Sequence, residues 1–153
     1  MYSIHKTVEL PIPMEKAWDF FSRPENLSTM TPTHMNFRIL NGKPKPMYAG
    51  QLISYYVSPF KGIKVLWVTE ITHVTDNSFF VDEQRIGPYK LWHHQHFIKP
   101  IKNGVLVEDI VHYAMPYGFI GKILNTFLVR KKLRHIFEYR SKKLIELFGS
   151  YEH

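Results

Sequence analysis

Along residues 2 to 10 the chain alternates, with Ile4, Lys6, Val8 and Leu10 set against His5, Thr7 and Glu9; this rough period of two predicts a strand. Pro13 then stands where a first helical turn tolerates it. The apolar set Ala17, Trp18, Phe20 and Phe21 follows, and Pro24 stops the helix. Between Pro24 and Pro32, PENLSTMTP predicts a second short helix. From about residue 34 to 115 the texture is that of strands: FRIL, then the loop NGKPKP, then GQLISYYV. In KVLWVTEITHV, Trp67, Thr69 and Ile71 fall on one face and Leu66, Val68, Glu70 and Thr72 on the other. Turn signals at Asp76-Asn77 and Gly87-Pro88 bracket SFFVDEQR, and Asn103-Gly104 between KLWHHQHFIKP and VLVEDIVHYAMP is the strongest hairpin signal in the chain.

After Pro116 the period changes to that of a helix. Ile120, Ile123, Leu124, Phe127 and Leu128 recur at spacings of three and four, as do Leu133, Ile136, Phe137, Leu144, Leu147 and Phe148, up to Gly149. The expected element is a long terminal helix of roughly eight turns, bent near Arg130. The whole reads as one α+β domain over residues 1–153. It has about seven antiparallel strands wrapped around the C-terminal helix, with two short helices after the first strand. Between a sheet that size and one amphipathic helix lies space, filled either by large side chains or by a ligand.

Composition sharpens this picture at four points. Aromatic residues make up 15% of the 153 residues (11 Phe, 9 Tyr, 3 Trp), enough for a bulky core or a ring-lined cavity. Cysteine is absent, which removes disulfides, thiolate metal sites and thiol nucleophiles together. Neither a signal-peptide pattern nor an apolar run of membrane-spanning length is present, so a cytoplasmic protein is the expectation. The formal charge of +7 favours acidic partners, and much of it is gathered in VRKKLRH. Arg130, Lys131, Lys132 and Arg134 there form either a solvated helix face or, with Phe119, Phe127 and Leu128, a surface for anionic membrane. No nucleic-acid-binding signature accompanies the charge, so no nucleic-acid partner is expected.

Three stretches go further: FVDEQRIGPYKLWHHQHF, NGVLVEDIVHYAMPYG and LVRKKLRHIFEYR. They are similar to a bacterial subfamily of the SRPBCC superfamily (START and pollen-allergen-like, with the helix-grip fold), and the order of elements resembles that fold over essentially the whole chain. The motif positions here are Phe80, Asp82, Gln84, Gly87, Pro88, Trp92, His94 and His96, then Asp109, Val111, Tyr113, Pro116 and Gly118, then Phe137, Tyr139 and Arg140. The superfamily includes lipid carriers, hormone receptors, coenzyme Q-binding proteins, polyketide cyclases and ring-hydroxylase subunits. The resemblance therefore implies a cavity between sheet and helix for a small hydrophobic ligand such as a lipid, quinone or polyketide. It implies no cofactor, and it leaves the chemistry to the site.

Strand alternation puts Trp92, His94, His96 and Ile98 on one face, while His93 points away. With Asn103-Gly104 as the two turn residues, Lys102 pairs with Val105. Counting back then sets His96 opposite Val111, His94 opposite Tyr113, and Asp109 diagonal to His96. Asp82 and Gln84 share a face on the preceding strand. The expected ligand-binding set is Trp67, Phe80, Asp82, Gln84, Trp92, His94, His96, Asp109, Val111, Tyr113, Phe137 and Arg140.

Several chemistries compete for the polar members. Two histidines at i and i+2 can reach one ion, with Asp109 or Asp82 as a further ligand. However, Pro100 and Ile101 stand where a cupin-type site needs a glutamate, so no metal is assigned. An Asp109–His96 or Asp82–His94 pair, with Tyr113 polarising a carbonyl, would suit a cyclase or dehydratase, and His94, His96, Asp109 and Tyr113 are the catalytic candidates in that case. The reading that asks least is a hydrogen-bonded pocket lining that orients a mostly apolar ligand. Arg140, on or near the apolar face of the last helix, either extends outward along its stem or reaches an acid such as Asp82 or a ligand carboxylate.

Overall fold

The computed structural model describes residues 1–153. Strand β1 (Tyr2–Leu10) leads through Pro11 and Pro13 into helix α1 (Met14–Phe21), with Pro13 extended (φ −70°, ψ 157°) as its N-cap. A 3₁₀ turn (Pro24–Asn26), helix α2 (Leu27–Met30) and a second 3₁₀ turn (Thr33–Met35) follow, so the second short helix is present but broken into three pieces. The strands are β2 (Arg38–Ile39), β3 (Gln51–Phe60), β4 (Ile63–Thr75), β5 (Phe79–Ile86), β6 (Leu91–Ile101) and β7 (Gly104–Ala114). They form one antiparallel sheet in the order β1-β7-β6-β5-β4-β3-β2: a meander from β2 to β7, closed by β1 against β7.

The C-terminal helix runs 31 residues, as α3 (Gly118–Leu124), a π-helical turn (Asn125–Val129) and α4 (Arg130–Phe148). Near Arg130, where a bend is expected, the π turn hands over to α4. A π turn fits one extra residue into the helix and turns the side chains before it relative to those after it. With the sheet, this long helix makes the helix-grip arrangement.

Register departs from expectation at the β6–β7 hairpin. Ile101 pairs with Gly104, so Lys102 and Asn103 are the loop residues, with Asn103 left-handed at φ 59°. The physical reason lies in β1: a Cβ on Gly104 would run into the Leu10 carbonyl oxygen, so glycine is needed in the strand rather than in the turn. Sliding the turn by one residue moves each cross-strand partner by two. His96 stands opposite Asp109, His94 opposite Val111, and Trp92 opposite Tyr113. A shift of two keeps every side chain on its own face, so the face assignment survives while the pairings change.

Two apolar clusters fill the interior. One gathers Leu10, Ile12, Ala17, Phe21, Ile53, Ile71, Phe80, Ile98, Val105, Val107 and Leu144; the other gathers Val57, Trp67, Trp92, Val111, Tyr113, Leu133 and Phe137. Burying a large apolar side chain contributes about 1.5–3 kcal/mol. Between the clusters, element by element, lie buried or nearly buried polar residues: Thr69 on β4, Asp82 on β5, His94 and His96 on β6, Asp109 on β7 and Arg140 on α4. A polar belt thus crosses the molecule from sheet to helix.

Candidate functional site

A cavity of about 440 Å³ opens between the concave face of the sheet, α2 and the C-terminal helix. Trp67, Phe80, Trp92 and Phe137 line it, and so do Asp82, His94, His96 and Arg140. Of the other expected site residues, Asp109, Val111 and Tyr113 stand behind this wall. Tyr113 donates its hydroxyl to Asn125 Oδ1 (2.7 Å), and Asp109 meets the cavity only through His94, His96 and Arg140. Gln84 is also outside the lining. Its amide donates to the Tyr89 carbonyl (2.8 Å) and its Oε1 accepts from the Tyr89 N–H (3.0 Å), which fixes the Gly87–Tyr89 loop. The packing of Gln84 against Gly87 leaves no room for a Cβ there.

Tyr89 is a lining residue that sequence reasoning missed, as is Tyr55. Tyr55 stacks on Trp67 (6.0 Å, 12°), while Tyr89 meets Trp67 (5.6 Å, 63°) and Trp92 (4.9 Å, 42°). Trp67 and Trp92 themselves meet edge to face at 5.3 Å. Alternation along LISYYV, with Ile53, Tyr55 and Val57 on one face, is the signal that could have found Tyr55. Tyr89 lies in a loop, where periodicity carries no information. At the mouth, Lys132 donates to the carbonyl of Pro59 and ties α4 to the β3–β4 hairpin.

The polar wall is tightly paired. His96 Nε2 bonds Asp82 Oδ2 at 2.5 Å, and His94 Nε2 bonds Asp109 Oδ1 at 2.9 Å. The pairing is the reverse of that expected: the cross contacts, His96 Nδ1 to Asp109 (3.2 Å, without hydrogen-bond alignment) and His94 Nδ1 to Asp82 (3.7 Å), are longer. Ring stacking supplies the reason. Phe80, His96 and His94 lie face to face, at 4.0 Å and 3.6 Å between successive centroids, and this stack fixes the direction of each imidazole edge. Arg140 is buried and brings its guanidinium to 3.3 Å from Asp109, so it reaches an acid, but not Asp82.

Burial opposes the Asp109 carboxylate, yet the Arg140 charge, the bond from His94 and the nearby His96 imidazole outweigh it and hold its pKa well below the usual range. Asp82 follows the same pattern: burial is offset by His94 and His96, and its pKa is lowered. Burial also works against protonated His96, but Asp109 and Asp82 prevail and raise its pKa. For His94, burial and then neighbouring His96 win, and its pKa falls. The two buried carboxylates are thus faced by the Arg140 guanidinium and by two imidazoles whose pKa values are pushed apart. A polar wall paired in this way can lie beside an apolar ligand without leaving a lone charge out of water.

Asp82, His94 and His96 also offer ligand atoms within 4.8 Å of one another, so a third metal ligand is present after all, on β5 rather than β6. An ion there would have to replace the Asp82–His96 bond, and it would add positive charge beside Arg140 and His96. For proton transfer, the wall offers two imidazoles on the same face, one with its pKa raised and one with it lowered. The tyrosine expected to polarise a carbonyl is bonded instead to Asn125.

Outside the cavity mouth, α3 and the π turn expose Tyr117, Phe119 and Phe127, each at least 75% accessible, together with Ile120. Lys122, Arg130, Lys131 and Arg134 flank them along the same helix. No helix is long and apolar enough to cross a membrane.

The family model described as polyketide cyclase / dehydrase and lipid transport matches residues 10–138. Among solved structures, the fold is similar to protein CV1439 from Chromobacterium violaceum (TM-score 0.74, 12% identity, covering 97% of this chain and 98% of that one). It is similar to a START superfamily protein from Mycobacterium smegmatis (0.66, 15%, covering 96% and 99%) and to ginseng major latex-like protein 151 from Panax ginseng (0.69, 9%, covering 96% and 97%). No curated protein sequence matches the chain.

Proposed function

The chain belongs to the polyketide cyclase / dehydrase and lipid transport family, and from that premise we propose that it binds and carries a small, mostly apolar molecule in the cavity between sheet and C-terminal helix. The observation that carries this reading is the pairing of the polar wall. His94 and His96 each bond a buried carboxylate and Arg140 lies within ion-pairing distance of Asp109, while His96 Nδ1 and Arg140 Nε keep no partner; the remaining surface of the cavity is chiefly aromatic and aliphatic. An amphiphile of lipid, quinone or polyketide type suits such a space: its apolar body meets Trp67, Trp92 and Phe137, and one oxygen meets the wall at His94 or Arg140.

Native mass spectrometry of freshly purified protein tests it, followed by titration of a lipid, a quinone and an aromatic polyketide against tryptophan fluorescence. The expected result is a co-purified mass or a saturable one-to-one change from Trp67 and Trp92. Protein that carries no extra mass and takes up none of the three would sink the reading.

A cyclase or dehydratase acting on a polyketide-like substrate is the second reading, favoured by one observation: His94 and His96, each held by a buried carboxylate, share the cavity wall with Arg140. In that case His94, oriented by Asp109 and stacked on His96, accepts a proton from carbon while the Arg140 guanidinium holds the developing oxyanion. Turnover of a linear polyketide mimic that disappears in His94→Gln and His96→Gln variants, while uptake persists, would move the protein to this class.

For delivery, we propose that the exposed ridge of Phe119, Ile120 and Phe127, with Arg130, Lys131, Lys132 and Arg134, rests on anionic membrane at the cavity mouth. No nucleic-acid partner belongs to this reading, since the charge lies beside an apolar ridge and comes without a base-reading motif.

A further inference from the structure

A second concavity lies at the other side of α4, outside the hydrophobic cavity. It is a cleft of about 380 Å³ between β1 and the first turns of α4, lined by Tyr2, Ser3, Ile4 and Lys6 from β1, Tyr113 from β7, and Arg130 and Arg134 from α4. Three cations and no acid line it. Arg23, Arg85 and Arg140 each have a carboxylate partner within ion-pairing distance, whereas Lys6, Arg130 and Arg134 have none. The acid opposite Lys6 across the strand pair is Asp109, and it is already engaged with His94, His96 and Arg140.

Two elements contribute the charges of the cleft: Lys6 comes from β1, and Arg130 and Arg134 come from α4. Tyr2, Ile4 and Lys6 project from the same face of β1, and Tyr2 stands opposite Tyr113 with ring centroids 5.4 Å apart. Arg130 and Arg134 are one helical turn apart, so their side chains leave the same face of α4 toward those rings, and the Arg130 guanidinium is 5.8 Å from the Tyr2 ring centre. Ser3 adds a hydroxyl-bearing residue to the lining from the edge strand. Two guanidinium groups, an ammonium and a hydroxyl around a cleft of this size are donors suited to the oxygens of a phosphate.

We propose that this cleft binds a phosphate group, as a monoester or a lipid headgroup, through Lys6, Arg130 and Arg134. The cleft is separate from the hydrophobic cavity, and the assignment stands whether or not that cavity carries a ligand. Its position beside the exposed ridge of α3 makes a membrane phosphate one source and a soluble phosphate ester the other.

Calorimetric titration of inorganic phosphate and of glycerol 3-phosphate into the full chain, alongside flotation with phosphatidylcholine vesicles containing phosphatidic acid, separates the sources. The Arg130→Gln/Arg134→Gln double variant is compared with Lys43→Gln/Lys45→Gln, which removes equal charge from a distant loop. Saturable one-to-one phosphate binding that weakens about tenfold or more in the arginine variant alone supports the site and identifies soluble phosphate. Binding to vesicles only supports it and identifies the lipid headgroup where phosphatidic acid is preferred over phosphatidylserine at matched vesicle charge and the arginine variant loses that preference; equal binding of the two lipids overturns it. A Phe119→Asp/Phe127→Asp variant tests membrane contact by the ridge separately, because it removes flotation while leaving the soluble titration intact. Absence of saturable binding in both arms, or equal weakening in the two charge variants, overturns the assignment.

Discussion

Arg140 carries its charge to a buried carboxylate, and the cost of that choice is measurable. Removing one member of a buried ion pair leaves the other unpaired, a loss of about 3–5 kcal/mol. Arg140→Met should therefore lower the urea midpoint sharply. Adding Asp109→Asn to it should recover part of the loss, because the stranded charge goes too. A double variant no better than the single would show that Arg140 acts through packing alone.

The histidines give opposite pH dependences. His96 has a raised folded pKa, so its contribution is complete below the unfolded value of 6.5 and is lost as pH rises through the folded value. His94 has a lowered folded pKa, so its contribution is present above 6.5 and is lost as pH falls toward the folded value. Asp82 and Asp109, both lowered, lose theirs only in acid, as pH falls below the unfolded value of 3.8 toward their folded values. Urea midpoints measured across the alkaline side should decline in the native protein and stay flat in His96→Gln. A decline that persists in the variant would assign it to another group. At this scale the sequence was half legible: alternation put His94 and His96 on one wall, but which acid each one meets depends on how the rings of Phe80, His96 and His94 stack.

The β6–β7 hairpin shows how an element can be foreseen and still be misregistered. Asn-Gly marked the turn correctly to within a residue, but nothing local to those two residues announces that Leu10 of β1 comes up against Gly104. Non-local contact chose the register. Gly104→Ala should thus cost about 1–3 kcal/mol, read as a lowered thermal midpoint, even though alanine is no worse than glycine in an ordinary strand.

The helix behaves similarly: its apolar spacing was plain, but the π turn at Asn125–Val129 was not, because one added residue changes the phase without changing the composition. Asn125 is fully buried there and accepts the Tyr113 hydroxyl. Tyr113→Phe alone strands an acceptor and should cost about 1–3 kcal/mol. The pair Tyr113→Phe/Asn125→Leu should lose less than the sum of the single changes. Strict additivity in that cycle would mean the bond contributes nothing.

For the whole molecule, the order of elements and the presence of a sheet–helix cavity were readable from periodicity, proline positions and the three motif stretches. The ligand was not, because an aromatic wall accepts many apolar shapes, and the loop residue that completes it, Tyr89, is held by Gln84 rather than by any repeat. The distribution of charge and exposed rings makes a prediction at this scale. Vesicles with anionic lipid should float the protein, neutral vesicles should not, and Phe119→Asp/Phe127→Asp should lose flotation without loss of thermal stability, since both rings are already in water. Equal flotation of the variant would remove the ridge from membrane contact.

The polar belt has one more consequence, for how the helix and the sheet can move against one another. A helix resting on an unbroken apolar sheet can slip lengthwise by a turn, about 5.4 Å, at little cost. Here a slip would slide Ile136 or Leu144 over Asp109 and strand both charges, so Arg140 acts as an indexing pin that locks the lower helix to the sheet. Room for widening then lies at the far end, where Lys132 ties the first turn of α4 to the β3–β4 hairpin and Asn125 of the π turn accepts the Tyr113 hydroxyl. Motion of helix against sheet would then be that of a hinged jaw rather than of a sliding clamp.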